Sequence, residues 1–260
     1  MEHIGIDLGA SRSAICVVST EGVVLRERTI ATNEIERVLS KQPTSRVELE
    51  SCAESRLIAN RVREQGHDVR VVPTVFVRSL GIGTRRIKTD KRDARSLAIA
   101  SFRLGDELPH IHVRSDEAAA LQDLVRARSS LVNQRTMAIN FVRAQLRKAL
   151  LGPGPRRTAK TFCAAVRELI GEDATLQVNA HLTTIDVLNE QIEQLEKKMK
   201  AVAELSEPAT RLRKITGVGP IVSLAFLAGV AEPRRFASGS HLASYIGLSP
   251  GENKIGRAHV

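Results

Sequence analysis

The segment HIGIDLGASR at residues 3–12 decides how the rest of the chain is interpreted. Its apolar run is typical of a short β-strand that closes on Asp7, and the Gly-Ala-Ser-Arg after it supplies a tight turn. Residues 13–19 and 23–30 predict two further strands, with another turn at 20–22. The N-terminal region is therefore predicted to open with three consecutive strands.

Beyond residue 30 the predicted elements alternate between helix and strand. In order they are a short helix at 33–39, a strand at 46–50, a helix at 53–65 ended by Gly66, a strand at 69–73, and a helix at 89–104 with Thr89 as N-cap and Gly105 as stop. Three strands followed by this alternation predict a mixed sheet with helices on both faces, which is an α/β domain.

Four acidic residues lie where such a domain presents a site: Asp7, Glu50, Asp90 and Asp93. The first two close apolar strand-like runs, near the carboxyl ends of strands where open α/β sheets place their sites. The last two are spaced i, i+3, which stacks both carboxylates on one helical face. Carboxylates gathered without cations would repel each other and partly protonate, so the set implies a bound divalent metal.

Each acid also has a purely structural interpretation. Asp7 alone is compatible with a strand end, and the same Ile-Asp-Leu-Gly occurs in actin-like and sugar-kinase ATPases. The i, i+3 pair is favourable at a helix N-terminus through the helix dipole. Glu48 and Glu54 compete with Glu50, although Glu50 lies nearer the expected site. Together the four acids favour metal-dependent chemistry on a phosphodiester, since the chain carries a formal net charge of +10.

Composition limits the classes of protein that fit. With 260 residues and 42% hydrophobic residues, the chain can bury a core in one or two domains. Aromatic residues make up only 3%, which argues against base stacking as the main source of nucleic-acid affinity. The three cysteines match no zinc pattern and fit a reducing compartment. Neither a membrane span nor a secretory leader is predicted, so we expect a cytoplasmic protein located at a bacterial nucleoid.

Two long helices are predicted after residue 115. The first runs from 115 to about 151 on a stripe of apolar residues spaced by three, four and seven, and Gly-Pro-Gly-Pro at 152–155 ends it. The second, from 182 to 205, alternates apolar spacings of three and four, which is typical of a coiled-coil seam. Together they predict an antiparallel coiled-coil hairpin, through which we expect the chain to form a homo-oligomer.

The first helix and the segment after it are strongly basic. Between Asp123 and Glu168 the chain has no acidic residue, and a single-sign stretch favours phosphate contact over a merely solvated face. The residues expected to bind nucleic acid are Arg126, Arg128, Arg135, Arg143, Arg147, Lys148, Arg156 and Arg157, with Lys160 and Arg167 in the same stretch, and Arg85, Arg86 and Lys88 beside the acidic pair.

A glycine hairpin follows Pro208. Gly217 and Gly219 stand in ITGVGP at 215–220, directly before the apolar segment 221–230. Such glycines allow backbone amides to approach a phosphate at a helix N-terminus, so both are candidate nucleic-acid-binding residues. The same sequence is equally well explained as a tight turn that binds nothing.

The order of these motifs resembles the Holliday-junction-resolvase branch of the ribonuclease-H-like fold, and more closely the DEDD transposases of the IS110 group of bacterial insertion elements. The resemblance is carried by ESC at 50–52, GHDVRVVP at 66–73, KTDKRDA at 88–94, ITGVGP at 215–220, RFAS at 235–238 and LASYIGLSP at 242–250. It implies a ribonuclease-H-like catalytic domain at 1–108, a basic helical coiled-coil region at 109–207 and a small, mainly α C-terminal domain at 208–253.

The resemblance also implies an activity. Asp7, Glu50, Asp90 and Asp93 would hold Mg²⁺ or Mn²⁺ for DNA strand cleavage and joining, with transposon ends and target DNA as partners. Some members of the group are directed by a structured RNA, which adds a guide RNA to the expected partners. The alternatives are a resolvase-like nuclease, an actin-fold ATPase or kinase, and a DNA-binding protein without catalytic activity.

The last residues depart from the pattern of that group. A nucleophilic serine in a Ser-Gly context is expected shortly after the Gly-Leu-x-Pro segment, whereas residues 254–260 read KIGRAHV and look like a translated sequencing adapter. We therefore expect a non-native tail at 254–260, and a C-terminally truncated chain that lacks its nucleophile.

Overall fold

A computed structural model describes residues 1–79, 90–171 and 176–248, with the side chains of Arg78, Ser79, Asp90 and Leu176 left out. The chain forms two compact units, Met1–Asp116 and Glu117–Val260. The first unit contains residues 1–108, which are predicted to form the catalytic domain, and the bounds of that domain stay a prediction. The predicted division at 208 and the non-native tail at 254–260 stay predictions, and the tail lies outside the described residues.

Unit 1 is built on the mixed sheet that the sequence predicts. Its strands are β1 (His3–Asp7), β2 (Arg12–Val18), β3 (Val24–Ala31), β4 (Arg46–Glu50) and β5 (Asp68–Val72). They lie in the order β3-β2-β1-β4-β5. β2 pairs antiparallel with β1 and β3, whereas β4 runs parallel to both β1 and β5. This topology is compatible with the predicted ribonuclease-H-like fold.

Helices complete unit 1 and make up most of unit 2. Those of unit 1 are α1 (Ile35–Leu39), α2 (Ser55–Glu64), α3 (Thr74–Ser79) and α4 (Asp90–Leu104), with 3₁₀ turns at Thr32–Glu34 and Gly105–Glu107. From Asp116 onward there follow α5 (Asp116–Lys148), α6 (Ala159–Ile170), α7 (Leu176–Leu205), α8 (Glu207–Leu212), α9 (Pro220–Val230), a 3₁₀ turn at Pro233–Arg235, and α10 (Gly239–Tyr245). α3, α6, α8 and α10 were not predicted individually.

Both faces of the sheet are covered, as predicted. Strand alternation sends Ile4, Ile6, Val47, Leu49, Val69 and Val71 to one face, where they are buried with Ile35 and Leu39 of α1 and Ile58 and Val62 of α2. The opposite face packs Ala14, Cys16 and Val18 of β2 against Ala94 and Ala98 of α4. Burial on both faces explains why β1 and β2 are mostly apolar, whereas β4 places buried Glu48 on the face that α4 covers.

α4 lies unusually close to β1. A Cβ atom added to Gly5 would sit 2.1 Å from the Ala94 carbonyl oxygen and 2.5 Å from the Ala98 backbone nitrogen, so only glycine fits there. Further along the helix, Ser101 Oγ lies 2.9 Å from His3 Nδ1. Later residues of α4 thus lie beside earlier residues of β1. The helix runs antiparallel to the strand, and its first turn lies toward the Asp7 end.

Unit 2 contains the two predicted long helices, now as α5 and α7. Arg128 of α5 pairs with Glu196 of α7, and Arg135 with Asn189, so the helices run antiparallel. α6 lies between them in the chain and packs Phe162 and Val166 into their shared core. The pair is therefore not a simple two-helix hairpin, and its coiled-coil packing stays a prediction. In the described part of the chain, no helix is long and apolar enough to span a membrane.

Candidate active site and nucleic-acid interface

Asp7 and Glu50 end neighbouring parallel strands. Ile6 of β1 is in register with Leu49 of β4, and each acid is the next residue of its strand. By alternation they share the face of Gly5 and Glu48, which is the face that α4 covers. Neighbouring strands lie about 4.8 Å apart, so the two half-buried acids leave the same face at one edge of the sheet. We call this edge the acidic edge.

The N-terminal turn of α4 lies at the same end of the sheet. Asp90 begins the helix, and half-buried Asp93 stands one residue before Ala94, whose carbonyl faces Gly5. Because α4 runs antiparallel to β1, its first turn points toward Asp7. Asp90 and Asp93 both lie in the first turn of this helix, and the Asp90 side chain lies outside the description.

The segment after Asp7 is held by a set of hydroxyl hydrogen bonds. Gly9 donates its amide to Ser13 Oγ at 3.3 Å, and Thr32 Oγ1 donates to the Gly9 carbonyl at 2.7 Å. Ser13 and Thr32 also join each other at 2.9 Å. These contacts tie the turn to β2 and to the end of β3, which fixes the direction in which Asp7 leaves β1. They were not predicted, because Thr32 lies far along the chain.

The segment after Glu50 is held in a similar way. The Ser51 amide donates to the Val72 carbonyl at 2.9 Å, and Thr74 Oγ1 donates to the Ser51 carbonyl at 3.0 Å. Both bonds join the end of β4 to the end of β5 and the start of α3. Glu50 is therefore presented by ordered backbone rather than by a free loop.

Glu48 does not reach the acidic edge. It is fully buried, accepts a hydrogen bond from Ser101 Oγ at 3.1 Å through Oε1, and has no partner for Oε2. Burial raises the pKa of Glu48 to about 7, with the Ser101 hydrogen bond opposing the rise. Glu54 is exposed and precedes α2. Of the three glutamates considered from sequence, Glu50 alone lies at the strand end.

The donors at the acidic edge suit a hard divalent cation by their chemistry. Asp7, Glu50 and Asp93 supply carboxylate oxygens, and Mg²⁺ binds through one or two carboxylates plus substrate phosphates. Within residues 1–79, 90–171 and 176–248, no three His, Cys, Asp or Glu side chains form a group that could hold a metal ion. Asp7 and Asp93 each interact with another residue instead.

A group of exposed basic residues lies where α5 ends. Arg147 and Lys148 occupy its last turn, and Arg156 and Arg157 follow the Gly-Pro-Gly-Pro turn. That turn folds back on α5, since a Cβ on Gly154 would contact Leu146 Cδ1 at 2.8 Å. None of the four cations forms an ion pair with a described residue. We call these four residues the basic tip. Arg126, earlier on α5, is also exposed.

Other cations of the basic stretch are paired with α7. Arg128 donates to Glu196 at 2.6 and 2.9 Å, Lys160 lies 3.3 Å from Glu193, and Arg167 lies 2.7 Å from Asp186. All the charges of this stretch are positive along the sequence. In the fold they are partly neutralised, because α7 supplies carboxylates that pair with them. In addition, Arg135 bonds Asn189 and Arg143 lies over the Phe162 ring at 5.5 Å. Arg85, Arg86 and Lys88 lie outside the described residues.

The glycine hairpin joins α8 to α9. The Val218 amide donates to the Ile215 carbonyl at 3.1 Å, and Gly217 adopts a φ of +87°, which favours glycine. No atom lies within 4 Å of a Cβ built on Gly217 or Gly219, so the hairpin has open space beside both residues. This geometry lets a phosphate approach the amides before α9, although phosphate binding itself stays a prediction.

Comparison with known families agrees with the resemblance seen in the sequence. Residues 4–150 match a DEDD transposase model of the IS110 type, described as "Transposase", and residues 209–259 match one described as "Transposase IS116/IS110/IS902 family". The first match covers the acidic edge and α5, and the second covers the glycine hairpin.

Individual proteins are similar over almost the whole chain. The "Probable family 20 transposase" of Pseudomonas aeruginosa is 27% identical over 98% of this chain and 76% of its own length. The transposase for insertion sequence element IS1111A of Coxiella burnetii is 24% identical over 99% of this chain and 71% of its own. The transposase for IS1328 of Yersinia enterocolitica is 26% identical over 97% and 75%.

Proposed function

Since this chain belongs to the IS110 family of insertion-element transposases, we propose that the acidic edge of unit 1 is the site at which DNA strands are cleaved and joined. The observation that carries this proposal is the shared position of Asp7 and Glu50. They end adjacent parallel strands on the face that α4 covers, and the first turn of α4 brings Asp93 to the same end. Asp90 completes the predicted set from the start of that helix.

Mg²⁺ or Mn²⁺, held by Asp7, Glu50, Asp90 and Asp93, would stabilise the charge that develops on the oxygens of the phosphodiester. The protein's contribution is positional. The Gly9, Ser13 and Thr32 contacts hold the turn behind Asp7, and the bonds from Ser51 hold the strand end behind Glu50. Preset carboxylates avoid reorganisation during the reaction, and this is the main way a protein lowers the barrier to phosphoryl transfer.

Substrate binding is assigned to groups outside the acidic edge. The basic tip carries four exposed cations without carboxylate partners among the described residues, which suits counterion release from a phosphate backbone. The hairpin at Gly217 and Gly219 offers backbone amides to a phosphate. The proposed partners are transposon ends, target DNA and a structured guide RNA. Homo-oligomerisation through α5 and α7 and a cytoplasmic, nucleoid-associated location are part of the same proposal.

The test is a strand-cleavage assay on DNA that contains the element ends, with Mg²⁺ or Mn²⁺ added to metal-free protein in which the predicted serine-containing segment replaces residues 254–260. Asp7→Asn, Glu50→Gln, Asp90→Asn and Asp93→Asn should each lower cleavage at least about a hundredfold, as expected when a group that stabilises developing charge is lost. Each variant should keep its DNA affinity, because the binding groups lie elsewhere.

Glu54→Gln is the matched control. It removes one carboxylate four residues after Glu50, from an exposed position at the start of α2, and should leave cleavage unchanged. Equal losses in Glu54→Gln and Glu50→Gln would reflect the total charge of the region and would contradict the assignment. Cleavage that persists in chelator without added metal would contradict the metal-dependent mechanism.

A further inference from the structure

Arg235 occupies a distinctive environment in unit 2. It ends the 3₁₀ turn Pro233–Arg235, and its guanidinium carbon lies 4.2 Å from the ring centre of Phe236 and 4.3 Å from that of Tyr245. The two rings are 5.1 Å apart and tilted by 55°, so the guanidinium sits in the corner between them. The chain has only six Phe and one Tyr, and two of these seven rings contact this one arginine.

The surroundings fix the side chain without neutralising it. Nε donates to the Val230 carbonyl at 3.3 Å, and no carboxylate of the described residues forms an ion pair with Arg235. Arg128, which is also half-buried, is instead paired with Glu196. A partly buried cation is costly unless an anion or polar groups compensate for the lost water. Aromatic faces provide part of that compensation, and an anion would provide the rest.

The free groups of Arg235 define the kind of anion that fits. With Nε bonded to Val230 and the rings against the guanidinium, the two terminal nitrogens remain to donate. A guanidinium held in this way matches two oxygens of one phosphate and loses little conformational freedom when it binds them. Arg234 beside it is exposed and adds positive charge to the approach.

We propose that Arg235 is a preorganised phosphate-binding residue, and that its ligand is the phosphodiester backbone of nucleic acid bound by unit 2. This inference rests on the proposed function only in taking nucleic acid as the partner. It adds a binding residue outside the basic tip, the glycine hairpin and the acidic edge. The rings act as positioning groups, because they orient the guanidinium and leave its terminal nitrogens free.

The experiment measures affinity for a fluorescent duplex of A·T pairs against salt concentration, using residues 1–260. Loss of one phosphate contact should make the log–log slope shallower by about 1, so Arg235→Gln should show that change and a lower affinity. Arg235→Lys keeps the charge but not the two-pronged geometry, so its slope should match wild type while its affinity falls several-fold. Arg211→Gln removes an equal charge from an exposed pair with Glu207 and should leave the slope unchanged.

The outcomes separate this inference from the proposed function. If wild type binds no DNA, the proposed function fails. If wild type binds with a steep slope and Arg235→Gln has the same slope, Arg235 is only a structural group and the inference is wrong. A loss of affinity limited to duplexes that contain guanine would also overturn it, since a guanine edge would then be the ligand.

Two further variants test the role of Arg235 if Arg235→Gln does not fold. Circular dichroism reports whether Arg235→Gln is folded. If it is not, Arg235→Lys and Tyr245→Leu carry the test, because both keep the cation. Weaker binding at an unchanged slope in both supports the inference, and wild-type affinity in both overturns it.

Discussion

Replacing Gly5 with alanine should separate α4 from the sheet. The added Cβ would lie 2.1 Å from the Ala94 carbonyl oxygen, about 1.3 Å short of ordinary contact at 3.4 Å. The obstacle is helix backbone, so no side-chain rotation relieves it. Overpacking of a core typically lowers the free energy of unfolding by about 1–3 kcal/mol. Because the added atom meets backbone on a fully buried helix face, we expect a loss of about 3 kcal/mol for this variant. For a unit of this size we expect the melting temperature to fall by about 10 °C.

A displacement of α4 should also move the carboxylates of the acidic edge, because Asp93 is the residue before Ala94. A misplacement of about 1 Å can cost about a hundredfold in rate. We therefore expect folded Gly5→Ala to lose cleavage at a temperature well below its melting point. Thermal unfolding by circular dichroism and the cleavage assay measure the two effects. Gly229→Ala is the control, since nothing lies within 4 Å of its added Cβ and a helix interior favours alanine. A Gly5→Ala protein with wild-type stability would refute the reasoning about α4.

Three further predictions concern pH, charge and packing. Burial raises the folded pKa of Glu48 to about 7 from an ordinary 4.5, so its contribution to stability is present below pH 4.5 and is lost as pH rises to 7. Unfolding midpoints of metal-free protein, measured against pH, should show that the free energy of unfolding falls by about 3 kcal/mol over this range. Glu48→Gln should abolish this pH dependence. Neutralising the basic tip with glutamine should flatten the salt slope of DNA binding by about 3 to 4, whereas Arg128→Gln, which breaks a pair with Glu196, should change stability and not slope. Phe162→Ala should destabilise unit 2 by about 3–5 kcal/mol in urea unfolding, and equal stability would show that α6 does not hold α5 and α7 together.

The sheet of unit 1 was predictable because its signals are local. β4 was predicted at its observed bounds, and the other strands within two residues, since each is a short segment with Val, Ile or Leu residues between Gly, Pro or polar turns. Alternation then fixed which face each residue occupies. The position of α4 was not predictable in the same way. It depends on Gly5 meeting the backbone of Ala94 and Ala98, a contact between residues far apart in the chain.

Unit 2 shows where charge along the sequence misleads. The stretch from Arg126 to Arg167 was interpreted by sign alone, and α6 was missed inside it. Its signal was present in Phe162, Val166 and Ile170, which are spaced by four on one helical face. The carboxylates that pair with the basic stretch come from α7, and the sequence distance between partners hides them. Which cations remain for nucleic acid is therefore a tertiary property.

Stability and site geometry are coupled in unit 1 through one helix face. Ala94, Leu97 and Ala98 are fully buried, and the small residues among them let α4 approach Gly5. The same helix carries Asp90 and Asp93 in its first turn and Ser101, the partner of buried Glu48, in its last. A change that loosens the buried face must also move the acids, because a helix is displaced as a rigid element. Variants on this face should therefore lose cleavage in the same order in which they lose stability, whereas variants of the acids themselves should lose cleavage alone. Measuring both quantities on one set of proteins would separate residues that place the carboxylates from residues that act in the reaction.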